Sequence, residues 1–169
     1  MFENLLHDLY ETDTQNIAEE AHGRLSSIFG YSPGLPKIEI KDLPIKYGLI
    51  LDYLRGRVYQ FAMKIGGMFD PIRNKMTLDR ESISNMKDRI SIIYHELTHK
   101  FLSPFYLPKD VEEGYASWLT QKLTGYAKDA YGNLRENMNK VYQKLGNAVF
   151  NPAYRNTVIN EFRRASAYS

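Results

Sequence analysis

Apolar residues recur along the chain first at a helical period, then at a period of two, then at a helical period again. Residues 2–29 carry one apolar patch at Leu5, Leu6 and Leu9 and another at Ile17, Ala21, Leu25 and Ile28. Thr12, Asp13 and Thr14 lie between the patches and suit the start of a new helix, since their side-chain oxygens can accept from first-turn N–H groups. Residues 30–36 hold two glycines and two prolines and read as a loop. Lys37-Ile38-Glu39-Ile40-Lys41 alternates strictly and predicts a strand. Residues 45–54 fit either a strand or a short helix, with Gly56 ending the segment. Residues 58–65 predict a strand by their aromatic and β-branched content; Met68-Phe69, a turn over residues 70–74 and residues 75–78 then predict a hairpin-like return. The sum is a small, mainly antiparallel sheet of three to five strands.

The helical period returns at Ile83, Met86, Ile90, Ile93, Leu97 and Phe101, with Ser82 or Ser84 available as N-cap and a stop near Ser103 forced by Pro104. A second helix is expected from Pro108 or Asp110 to about Leu123, with Val111, Tyr115, Trp118, Leu119 and Leu123 inward and Gly125 as terminator. Ala130, Leu134, Met138, Val141 and Leu145 predict a third, closed by Gly146. Asn151-Pro152 opens a last one, with Tyr154, Val158, Ile159 and Phe162 on its apolar face. The fold class is therefore α+β: an N-terminal helix, the small sheet, and a helical second half. The 169 residues are expected to form one domain, with residues 1–103 carrying the N-terminal helix, the sheet and the first of the later helices, and residues 104–169 the rest.

Composition narrows the chemistry. A net charge of +2, with no basic run of five or more residues, does not point to a nucleic-acid partner. No apolar run approaches the roughly 20 residues of a membrane span, and the start shows no signal-peptide pattern, so no membrane partner and a cytoplasmic location are expected. The chain has no cysteine, so any metal must be held by His, Asp or Glu.

His95-Glu96-Leu97-Thr98-His99 lies inside the run 92–101. Residues four apart share one helix face, so His95 and His99 can offer two imidazole nitrogens to one ion, with Glu96 close by. At about 100° per residue, both histidines project away from the apolar stripe of their helix. Two adjacent imidazoles in so apolar a run are costly without a shared partner. A surface pair of histidines is the bland alternative.

A catalytic zinc takes three protein ligands. Glu113 is preferred as the third, because it falls on the non-core side of the next helix, whereas Glu112 falls on the flank of the core face. The competing role for Glu113 is a capping box with Asp110. His7 and His22 are the remaining histidines.

His95-Glu96-Leu97-Thr98-His99 followed by Glu113-Gly114-Tyr115-Ala116 resembles the gluzincin zinc metallopeptidases, and the chain is similar to the compact minigluzincins over roughly residues 57–120. The resemblance implies a zincin-like domain and Zn2+ held by His95, His99 and Glu113. It implies hydrolysis of a peptide or protein substrate by zinc-activated water, with Glu96 as general base. Ser117 stands where many members carry an acidic residue that orients a ligand histidine, and its hydroxyl is the expected substitute. Tyr106, Tyr115, Tyr126, Tyr131 and Tyr142 are candidate oxyanion donors. A substrate could add along the sheet edge near Gly67 to Phe69. The alternatives are a zinc-binding protein without peptidase activity, and a latent peptidase blocked by its own segment 147–169.

Overall fold

Thr14, Ala18, Ala21 and Leu25 recur at helical spacing and all are buried, so the first helix, α1 (Phe2–Phe29), runs unbroken. The new start expected at residues 12–14 is absent because Thr14 faces the core as part of that stripe. The structure, a computed structural model, describes residues 2–43, 46–52, 57–63, 66–127 and 131–167, with the backbone alone for 2–10, 46–52 and 57–63. Gly56, Ala130 and the side chains of Leu5, Leu6, His7 and Leu9 lie outside that description.

The strands are β1 (Lys37–Lys41), β2 (Lys46–Asp52), β3 (Arg57–Met63), β4 (Gly67–Asp70) and β5 (Lys75–Asp79). The segment open between strand and helix is a strand, β2, paired antiparallel with β3 in a two-stranded sheet of its own. A second sheet has the order β1-β5-β4. β4 and β5 form the expected hairpin, but β1 runs parallel to β5, with Lys37 opposite Lys75 and Lys41 opposite Asp79. Two of the three pairings are thus antiparallel, and the parallel one joins strands separated by a long crossover, a connection that permits that direction. Glu39 fastens the pair, with its carboxylate 2.7 Å from Lys41 Nζ and 2.8 Å from Lys75 Nζ.

After β5, Asp79 accepts from the N–H and the hydroxyl of Ser82 at 2.9 and 2.7 Å. That use removes Ser82 as a helix cap. Asn85 caps α2 (Met86–Leu102) instead, its Oδ1 accepting from the Asp88 N–H at 2.9 Å. Ile92, Ile93, Tyr94, Leu97, Phe101 and Leu102 are all buried, because α2 packs against α1, β4, β5 and the helix that follows. Phe29 stacks on Phe101 and on Tyr115, at ring separations of 5.4 and 6.2 Å. Each aromatic side chain so buried contributes on the order of 2–3 kcal/mol. Arg24 ties α1 to both neighbours, donating to the Tyr94 hydroxyl and the Leu123 carbonyl.

A single 3₁₀ turn, Ser103–Phe105, leads to α3 (Lys109–Thr124), which Gly125 ends at φ +75°. α4 (Gly132–Leu145) follows and is closed by Gly146 at φ +56°. Asn151 caps a short 3₁₀ turn, Pro152–Tyr154, rather than the last helix itself, α5 (Arg155–Ala167). Among the described residues no helix is long and apolar enough to cross a membrane.

α3, α4 and α5 meet at Gly114. A Cβ there would lie 2.8 Å from the Leu134 carbonyl oxygen and 2.9 Å from the Phe162 ring. Gly114→Ala is expected to destabilise the protein by about 1–3 kcal/mol, because backbone has to move. An unchanged urea midpoint would show that α4 gives way at no cost.

Glu39 supplies a pH signature. Hydrogen bonds from Lys41 and Lys75 hold its carboxyl down at about 2 in the folded protein, against an ordinary value of 4.5. A lowered folded pKa contributes stability above the ordinary value and loses it as pH falls through the folded one. Wild type should therefore exceed Glu39→Gln in denaturation midpoint at pH 7, with the gap closing between pH 4.5 and about 2. A gap that persists undiminished at pH 2 would contradict this assignment.

Candidate metal centre

α2 and α3 lie side by side, and their facing polar residues meet at one point. His95 Nε2 is 3.2 Å from Glu113 Oε2 and 3.2 Å from His99 Nε2, and His99 Nε2 is 3.5 Å from Glu113 Oε2. The three side chains are similarly shielded, at 13%, 15% and 14% exposure. Among the described residues they form a group of donors able to hold a metal ion.

The triangle can be tested against coordination chemistry. Zinc–nitrogen and zinc–oxygen bonds of about 2.0–2.2 Å in a tetrahedron place neighbouring donors roughly 3.3–3.6 Å apart. The three separations here match that span to within about 0.1 Å.

The tautomer of His99 agrees. Its Nδ1 lies 2.9 Å from Glu112 Oε1, and a carboxylate accepts, so Nδ1 carries the proton. In the neutral ring Nε2 is then a lone pair aimed at His95 and Glu113. Three electron-rich atoms in one place require protons or a cation between them.

The ionisation of the group reflects that requirement. Burial alone would lower the His99 pKa, but the carboxylates of Glu112 and Glu113 override it and hold the ring at about 10. Burial pushes Glu113 up, and its bonds to His95 and His99 outweigh that and hold it well below the usual carboxylate range. A cation entering the group must displace the bound proton, so its affinity rises with pH.

Glu96 sits beside the donors rather than among them. It is buried against β4, where a Cβ on Gly67 would come within 2.8 Å of its Cγ and 2.9 Å of Ile92 Cγ2. Gly67 is therefore a close-approach glycine. Burial raises the Glu96 pKa, while the imidazoles of His95 and His99 and the Phe69 N–H pull the other way without cancelling the rise.

The structure thus brings His95, Glu96, His99 and Glu113 together. The capping-box role for Glu113 is not realised, since the N-cap of α3 is Pro108 and Glu113 turns towards the histidines. His22 points elsewhere, its ring bonded to the Pro33 carbonyl. Ser117 is fully buried and accepts a hydrogen bond from Arg135 at 3.2 Å. The bond to a donor histidine that the sequence suggested for Ser117 is made by Glu112 to His99.

Of the five candidate tyrosines, Tyr131 is the one stacked against a donor, with its ring 6.0 Å from that of His95 and nearly parallel. Tyr115, Tyr126 and Tyr142 donate to Val149, Asp88 and Asn147 respectively, and Tyr106 is exposed on the turn between α2 and α3.

Compared with known proteins, the chain matches no family model, no curated protein and no solved structure.

Glu112→Gln keeps the size of the side chain but weakens its hold on the His99 N–H. It is expected to lower divalent-metal affinity about 10–100-fold. Glu113→Gln should lower it further, having lost a donor charge. Equal affinities for wild type and Glu112→Gln, measured by competition with a chelator, would remove Glu112 from this role.

Proposed function

We propose that this protein is a zinc-dependent metallopeptidase whose ion is held by His95, His99 and Glu113 and whose general base is Glu96. The observation that carries the reading is the donor triangle with a separate buried carboxylate alongside it. A purely structural zinc site does not require that fourth group. When bound, zinc supplies Lewis acidity, polarising a carbonyl and lowering the pKa of water towards about 7.

The residues of the chain do the remaining work. Glu96 takes the proton from the attacking water and delivers it to the leaving amine. Burial raises its pKa, which favours its taking up a proton and suits a group that must both accept and release one. Tyr131, held against His95, is the donor assigned to the developing oxyanion.

β4 presents the substrate. The Asp79 N–H bonds to the Gly66 carbonyl at 2.9 Å, and pairing alternates along an antiparallel ladder. The backbone groups of Gly67 and Phe69 therefore face away from β5, at the edge of the sheet. The Phe69 N–H serves Glu96. An extended peptide adding along this edge would bring a carbonyl past Glu96 and the donors. Gly67 keeps the strand close enough for that approach.

Glu96→Gln separates the two parts of the proposal. It should leave one bound zinc per chain while lowering peptide hydrolysis at least about 100-fold, since general-base catalysis commonly contributes that much. The measurement is zinc content by elemental analysis beside turnover of a casein-type substrate. Unchanged turnover in a zinc-loaded variant would rule out Glu96 as the base. Zinc binding without turnover in wild type would favour a non-catalytic role for the site.

A further inference from the structure

We propose that the C-terminal helix α5 is a positioning element for the donor group, acting through Arg155 on the turn that joins α2 to α3. The proposal rests on reading His95, His99 and Glu113 as a metal site. Those donors lie on two helices, so their mutual placement depends on the segment between them.

That segment is held in an unfavourable conformation. Tyr106 adopts φ +47° and ψ +49°, the left-handed region that suits glycine, and the residue is 79% exposed, so packing does not hold it there. Its own N–H makes only a long bond, 3.4 Å, to the Ser103 carbonyl.

Arg155 meets the turn from the far side of the chain. Its Nε donates to the Phe105 carbonyl at 2.6 Å and to the Tyr106 carbonyl at 3.2 Å, and its Nη2 donates to the Tyr106 carbonyl at 2.7 Å. Nη1 donates to Asn156 at 2.8 Å, which orients the fork. Rigid planar donors grip two successive carbonyls in a way that a lysine ammonium cannot reproduce.

A second contact supports the same segment further on. Gly114, the residue after Glu113, is pressed by the Phe162 ring of α5 and the Leu134 carbonyl of α4. Residues 103–114 are thus braced by α5 at both ends. Val149, Val158 and Phe162 lie in the core, so α5 is packed into the body of the fold.

Cobalt(II) titration of the metal-free protein provides the test, read by dissociation constant and by the visible absorption of four-coordinate cobalt. Wild type is expected to bind one cobalt per chain. Arg155→Ala and Arg155→Lys should each weaken binding about tenfold, the lower end for groups that orient metal ligands, and change the band, with far-UV circular dichroism showing folded protein. Tyr106→Gly in the Arg155→Ala background should recover most of the affinity, because glycine needs no brace in that conformation. Should Arg155→Ala fail to fold, Arg155→Lys, which keeps stem and charge, carries the comparison alone and with Tyr106→Gly. Folded Arg155 variants with wild-type affinity and spectrum would overturn the proposal, as would a folded double variant that recovers nothing. A wild type that takes up no cobalt would overturn the metal reading itself, and this proposal with it.

Discussion

Two imidazole nitrogens and a carboxylate oxygen are held within 3.5 Å of one another, and the surrounding helices keep them there. Without a proton or cation shared among its donors such a group is unfavourable, because lone pairs and a negative charge converge where water is scarce. It persists because each donor is anchored from behind. α2 is packed by α1, by the sheet and by α3, which fixes the helix that carries His95 and His99. The Glu112 carboxylate fixes the ring of His99. Gly114 lets α4 and α5 press α3 against α2 at the level of Glu113. The polar centre is thus supported by apolar packing around it, and a cation would take the place of the proton that the group holds.

The parts of this arrangement that are local in sequence were legible there. The helical period located four of the five helices to within a few residues, and Gly125 and Gly146 ended theirs at positive φ as expected. The four-residue spacing of the histidines and the angular position of Glu113 correctly placed all three on facing sides of two helices. What was not legible depends on tertiary contact. No pattern within β1 or β5 states that they pair in parallel. Thr14 has a cap-forming side chain, and only its burial reveals that it belongs to a continuous stripe. Gly67 and Gly114 read as ordinary glycines until the atoms across from them are known.

Glu112 shows the limit of angular counting most clearly. The count assigned Glu113 to the donor side and Glu112 to the flank of the core face, and as directions from the helix axis both hold. A glutamate carboxylate, however, sits several bonds from its Cα and can reach around a helix to a neighbour beside it. Glu112 does so, and at 2.9 Å from His99 Nδ1 it performs the task expected of Ser117, one helical turn beyond Glu113. The reassignment matters for chemistry. A carboxylate partner makes the opposite nitrogen of the ring more basic than a hydroxyl would, so His99 becomes a stronger donor. The same charge stabilises a proton on the ring, which a metal must then displace. A stronger ligand and a stronger competition from protons have one cause.

That coupling also clarifies why Glu96 is kept apart. Were it to lie within the donor triangle, its charge would join those of Glu112 and Glu113 and deepen the preference for protons there. It is buried instead against Gly67 and Ile92, with one N–H from Phe69, where desolvation governs its pKa and raises it. Two neighbouring environments therefore drive two carboxylates in opposite directions: Glu113 remains ionised beside two imidazoles, while burial favours a proton on Glu96. The backbone of β4 creates this division. A side chain at position 67 would push the strand and Glu96 apart, admit water to the carboxylate and remove the desolvation that raises its pKa, leaving the donor triangle intact beside a weaker base.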